Sequence, residues 1–159
     1  MQKPKLLIAV FSVALLLAGC AAPLAPGATR EEALARYGNP SAVVPLPAGT
    51  RLQYSGQPSS QSAVMVDLDA AGRVVSVREV MNTQGFARIA INQSTRADVV
   101  RELGRPAVVD HVASWDGDIM NYRWRDGGFD MLFWVYLDKA GIVRRTGQGM
   151  EIRSKGLDD

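Results

Sequence analysis

The chain has a single cysteine, Cys20, and a single histidine, His111, in 159 residues. One cysteine excludes an intramolecular disulfide and every site built from paired thiolates. One histidine excludes a His-rich metal cluster, so any catalytic triad would have to rest on His111. Ser114 lies three residues further on, but that spacing supplies neither a nucleophile elbow nor an oxyanion hole. His111 therefore reads as a histidine at a strand edge, with a His111-dependent hydrolase as the least favoured alternative. Gly-rich phosphate loops and Cys-x-x-Cys pairs are absent. Asp116, Asp118, Asp126 and Asp130 sit among glycines, yet none fits the calcium-loop pattern with its distal Glu, which leaves turn chemistry. No catalytic residue, metal site or cofactor is expected. The apolar run from Leu6 to Ala18 is shorter than the roughly 20 residues a comfortable membrane span needs.

What is present begins with that run. Lys3 and Lys5 precede it and Leu17-Ala18-Gly19-Cys20 closes it, the three-part pattern of a secretory signal. Leu-Ala-Gly-Cys resembles the lipobox of bacterial lipoproteins, which implies that Cys20 is acylated and heads the mature chain. The alternative is an ordinary signal peptide followed by a leftover thiol. Removing residues 1–19 from the 159 leaves 140, enough for one ordinary domain or two very small ones. It also removes Lys3 and Lys5, so the 18 Lys+Arg fall to match the 16 Asp+Glu. A balanced mature chain has no global field for nucleic acid. Residues 20–27 are small and Pro-rich and read as a lipidated tether.

Beyond the tether the chain repeats itself. Thr29-Arg30-Glu31-Glu32-Ala33-Leu34-Ala35-Arg36-Tyr37-Gly38-Asn39-Pro40 recurs from Thr95 to Pro106 at a constant offset of 66. Tyr54 matches Tyr122, and Leu68-Asp69-Ala70-Ala71-Gly72 matches Leu137-Asp138-Lys139-Ala140-Gly141, with the offset drifting to 69. Thr29 and Thr95 are N-cap candidates with acidic residues in the first turn, and capping-box spacing reaches Glu32 or, more weakly, Asp98. Gly38 and Gly104 suit a left-handed helix end, and Pro40 and Pro106 stop the helix from resuming.

Strands are expected over Leu52-Gln53-Tyr54, Val64–Leu68 and Val74–Val80, and again over Met120–Trp124, Met131–Leu137 and Ile142–Thr146. Val108–Val112 could add another. Asp-x-x-Gly turns join the last two strands of each copy, and Asp126-Gly127-Gly128 marks a hairpin. The expected fold is α+β: two tandem short-helix plus antiparallel β-meander repeats, residues 28–85 and 86–159, with the helices packed on one face of the sheet or sheets.

The pattern of helix, Leu103-Gly104-Arg105-Pro106, Tyr122-Arg123-Trp124 and Val135 to Val143 resembles the SmpA/OmlA (BamE-like) lipoprotein domain. Two such units in tandem also resemble the β-lactamase inhibitor protein architecture. The first resemblance implies an outer-membrane, periplasm-facing lipoprotein that scaffolds outer-membrane protein assembly or envelope integrity without catalysis. Its partners would be outer-membrane β-barrels or barrel-assembly proteins. The second implies an inhibitor-like module that clamps a periplasmic enzyme through its sheet. Ala21, where many inner-membrane lipoproteins carry Asp, favours the outer membrane.

Aromatics are few, at 7% of residues, and unevenly placed. Trp115, Trp124 and Trp134 all fall in the second copy, with Tyr122, Phe129, Phe133 and Tyr136. Met131 to Leu137 is apolar on both faces, so one face is core and the other is either covered by the neighbouring unit or open to a partner. Candidate binding residues are Trp115, Tyr122, Trp124 and Trp134, with Trp115 foremost because it sits in a loop. Arg144-Arg145 and Arg123/Arg125 could meet phosphate or carboxylate, or form part of a mixed solvated surface.

Overall fold

The computed structural model describes residues 24–152. The leader, Cys20 with its lipobox, and the first residues of the expected tether lie outside these, as do residues 153–159. The elements run α1 (Arg30–Tyr37), β1 (Ala42–Leu46), β2 (Gly49–Ser55), β3 (Ala63–Asp69), β4 (Val74–Glu79) and α2 (Thr83–Phe86). They continue with α3 (Arg96–Leu103), β5 (Val108–Asp110), β6 (Gly117–Asp126), β7 (Phe129–Asp138) and β8 (Val143–Met150). Two four-stranded antiparallel sheets result, in the orders β1-β2-β3-β4 and β5-β6-β7-β8.

Local chemistry explains the ends of these elements. Thr29 and Glu32 form a reciprocal capping box at α1, and Thr95 and Asp98 form the same box at α3. Backbone and hydroxyl hydrogen bonds from Thr95, with Arg101 adding its charge, hold the Asp98 carboxyl below its usual range. Gly104, at φ 79°, closes α3, and a Cβ there would meet the Ser55 side chain at 3.0 Å. Asp69 Oδ1 accepts the amides of Ala71 and Arg73, and Asp138 Oδ1 those of Ala140 and Ile142, which makes both Asp-x-x-Gly turns alike. Gly127 and Gly128, at φ 53° and 93°, form the tight turn between β6 and β7, where both positions need positive φ.

The fold class differs from the expected α+β repeats with helices packed on a sheet face. The described residues are mostly β, with two four-stranded antiparallel sheets and few, short helices. The physical reason is length. α1 and α3 have eight residues each, about 12 Å at 1.5 Å per residue, and α2 has four. α1 buries only Ala33, and α3 only Val99 and Leu103. That is too little apolar surface to cover a sheet, so strands supply most of the core.

β1 was not expected, because Pro45 and Pro47 interrupt the apolar pattern. Pro45 is tolerated in an edge strand, which has only β2 beside it. Val108–Val112 shortens to Val108–Asp110, and α2 spans the 85/86 junction between the expected units. Leu24 packs on the smaller core, and Gly27 donates to Val74 O at 2.7 Å, so the end of the expected tether lies on the folded body.

The core has two parts. Ala33, Leu52, Val66, Leu68 and Val74 form the smaller cluster, inside the first half. The larger one joins Ala63, Met65, Val80 and Met81 of the first half to Val99, Leu103, Tyr122, Trp124, Phe133 and Val135 of the second. Polar bonds fix the same junction. Alternation along β2 turns Leu52 into the small cluster and aims Arg51 and Gln53 at the end of α3. Gln53 Nε2 donates to the carbonyls of Val100 and Arg101 at 2.9 and 3.0 Å, and Arg51 Nη1 to that of Arg101 at 2.8 Å. The Arg101 carbonyl is one that an α-helix leaves unsatisfied at its C-terminus, while that of Val100 also accepts the Gly104 N–H. Gln57, fully buried between β2 and β3, bonds both the N–H and the C=O of Arg123, as a neighbouring strand would.

Candidate binding surface

β7 sorts the aromatics. Phe133, Val135 and Leu137 point into the shared core, and Leu132, Trp134 and Tyr136 line the opposite face half-buried. Two of the four aromatic candidates belong to the core. Tyr122 is 0% and Trp124 3% exposed. The Tyr122 hydroxyl donates to Gly104 O at 2.9 Å, and burial pushes its phenol far up, against the opposing charge of Arg96. Trp124 meets Phe86 edge-on at 5.2 Å, and Phe86 stacks on Phe133 at 4.0 Å. Neither Tyr122 nor Trp124 presents a surface to a partner, so both leave the candidate set.

Trp115 and Trp134 remain, on the outer face of the second sheet. The loop between β5 and β6 folds back so that Trp115 Nε1 donates to Leu137 O at 2.8 Å. Trp115 is thus a fixed, half-buried side chain. Its ring meets Tyr136 edge-on at 5.2 Å. The Arg145 guanidinium lies 3.9 Å from the Tyr136 ring centre and 5.5 Å from that of Trp115. Register puts Tyr136 opposite Arg145, Trp134 opposite Gly147 and Leu132 opposite Gly149. The Trp134 indole reaches over those glycines: a Cβ at Gly149 would meet its Cη2 at 2.8 Å, and one at Gly147 its Cε3 at 3.4 Å. Gly-x-Gly inside a strand was the legible sign of this close approach. The pairing of Arg145 with Tyr136 was hidden, because it depends on register.

Arg145 differs from its neighbours in having no counter-charge among the described residues. Arg144 is bonded to Asp138 and Asn92, Arg123 to Glu151, and Arg125 to Asp130. The Arg145 guanidinium has no carboxylate partner among the described residues and rests on the aromatic rings alone.

A separate cavity of about 620 Å³ opens beside the start of α3, lined by Arg96, His111, Asp118, Asp138 and Lys139 among others. His111 Nδ1 lies 2.8 Å from Asp118 Oδ1, and Arg96 pairs with the same carboxylate. Lys139 pairs with Asp116, and Asp138 is held by Arg144 and turn amides. Hydrogen bonds from Ile142 N–H and Arg144 keep the Asp138 carboxyl below its usual range. These charges satisfy one another, and His111 and Ser114 are both exposed. No helix among the described residues is long and apolar enough to cross a membrane.

Neither a family model nor a curated protein matches the chain. One solved structure is similar, a DUF4309 family protein (YjgB) from Bacillus subtilis. The identity is 15%, over 77% of this chain and 78% of that one, with a TM-score of 0.31. A likeness that low carries no argument about fold or function.

Proposed function

We propose that this chain is a lipid-anchored protein of the outer membrane, facing the periplasm, that works without catalysis as a protein-binding module in outer-membrane protein assembly or envelope integrity. The anchor is Cys20, in Leu17-Ala18-Gly19-Cys20. The resemblance of the Leu103-Gly104-Arg105-Pro106 and Tyr122-Arg123-Trp124 stations to the SmpA/OmlA (BamE-like) domain supports the setting. The observation that carries the binding role is the outer face of the second sheet. There Trp115 and Tyr136 stand half-buried against Arg145, which has no carboxylate partner among the described residues, and half-buried Trp134 lies on the same face. Fixed aromatics and arginine are the side chains that dominate protein interfaces, because they lose little freedom on binding.

Two measurements test the reading. Crosslinked envelopes should yield β-barrel or barrel-assembly proteins with the chain, and fewer of them when Trp115 and Trp134 are both Ala. Recovery of peptidoglycan or soluble enzymes alone sinks it. Cys20→Ala should move the chain from the membrane fraction to the soluble one, and an unchanged distribution removes the anchor.

A further inference from the structure

We propose that the free edge of β8 accepts an extended acidic segment of a partner protein as an added strand, with a carboxylate of that segment on Arg145. This deepens the protein-binding role above and rests on it.

Three observations converge on β8. Among the described residues it ends its sheet, with β7 as its one neighbouring strand. Among them, too, only its first residue is covered on the far side: Val143 N donates to Ser94 O at 2.9 Å, and Val143 O accepts from Asn92 N at 2.7 Å. From Arg144 to Met150 no described backbone group pairs with that edge. A row of unpaired amides and carbonyls is a template for another strand.

The two sides of the edge differ in chemistry, and an added strand, whose side chains alternate, would read both. On the core side, Thr146, Gly147 and Gln148 border a groove of about 410 Å³ whose walls include Phe86, Ile89 and Phe133. That side takes apolar side chains. On the other side stand Arg145 and Trp134, opposite Tyr136 and Gly147. Stacking on Tyr136 holds the guanidinium in place, and no described carboxylate meets its charge, so that side takes a carboxylate.

Charge also selects among occupants. The β8 strand of a second copy, Val143–Met150, holds two arginines and no carboxylate, so it brings nothing to meet the Arg145 charge. An acidic segment does.

The test uses two fluorescein-labelled octapeptides, one alternating valine and glutamate and one alternating valine and lysine, with the full mature chain and fluorescence anisotropy. The glutamate peptide should bind at least tenfold more tightly than the lysine peptide, and Arg145→Glu should reverse that order while circular dichroism stays unchanged. N-methylation of alternate peptide amides should abolish binding, because it removes the ladder donors. A photoreactive residue in the peptide should label β8. Equal affinity for both peptides, indifference to N-methylation, or labelling away from β8 overturns the proposal. So does β8-to-β8 crosslinking in a concentration-dependent dimer, which names a second copy as occupant. Binding that emerges only after deletion of residues 153–159 also overturns it, by naming the chain's own tail. Envelope partners that crosslink elsewhere would sink this proposal and leave the protein-binding role standing.

Discussion

Replacing Arg51 with methionine removes the charge that joins the two halves and keeps much of the side-chain volume. The Arg51 side chain is 5% exposed, and it grips Asp67 through Nε at 2.5 Å and Nη2 at 3.0 Å. It also reaches Arg101 O at 2.8 Å and Glu102 at 3.2 Å. Burial opposes the charge on Asp67, but the bonds and charge of Arg51, then Arg78, outweigh it and hold the carboxyl below its usual range. Breaking a buried pair by removing one partner costs about 3–5 kcal/mol, because the other charge is stranded. Two contacts soften the loss: Arg78 still bonds Asp67 at 3.0 Å, and Gln53 still bonds Arg101 O. The expected loss is therefore near the lower figure, about 3 kcal/mol, or roughly 10 °C in Tm for a domain of this size. Urea unfolding measures it. Every tryptophan lies in the second half, so fluorescence reports that half while far-UV circular dichroism reports both. The two transitions should coincide in the parent chain if the shared core makes it one cooperative unit. A loss below about 1 kcal/mol, the range of exposed pairs, would refute the buried-clamp reasoning.

Other perturbations have definite signs. Asp67 has a depressed folded pKa, so its stabilisation is complete above the unfolded value of about 4 and is lost as pH falls through the folded value. Acid titration of stability should thus fall less steeply for Asp67→Asn than for the parent. Tyr122→Phe deletes the bond to Gly104 O and leaves a buried carbonyl without that donor, at a cost of about 1–2 kcal/mol by urea unfolding. Tyr54→Phe should be neutral or stabilising, since the Tyr54 hydroxyl is buried with no hydrogen-bond partner among the described residues. Gly104→Ala should cost about 1–3 kcal/mol, because φ of 79° with an extended ψ is a region kept for glycine and the new methyl meets Ser55.

The Tyr54 and Tyr122 pair shows what the sequence could and could not disclose. Both tyrosines occupy matching places after a helix and a Gly-x-Pro, and that much is visible in the letters. Whether each hydroxyl finds a carbonyl depends on packing. Tyr122 reaches Gly104, whereas the Tyr54 ring tilts against Tyr37 at 5.2 Å. Caps, Asp-x-x-Gly turns and the Gly127-Gly128 hairpin were legible because each is decided within a few residues. The balance between helix and sheet was not, since it turned on how little surface an eight-residue helix can cover. Tyr122 and Trp124 were misplaced for a related reason. Strand alternation gives two faces but does not say which one the other half of the chain will bury. Arg51, Gln53 and Gln57 escaped notice because polar residues in half-buried strands and loops read as solvent-facing, and here their partners are about 50 to 66 residues away.

Leu24 packs on the smaller core, four positions after Cys20. At no more than about 3.6 Å per residue, those four links span about 14 Å, close to the radius of gyration of a body this size. With Cys20 acylated, the leash would be no longer than the molecule is thick. If the proposed anchor holds, such a body would not sweep the periplasm but would ride the lipid surface with its first half toward Cys20. Its encounters would then be two-dimensional, and a partner would have to bring its own binding segment down to the height of that surface.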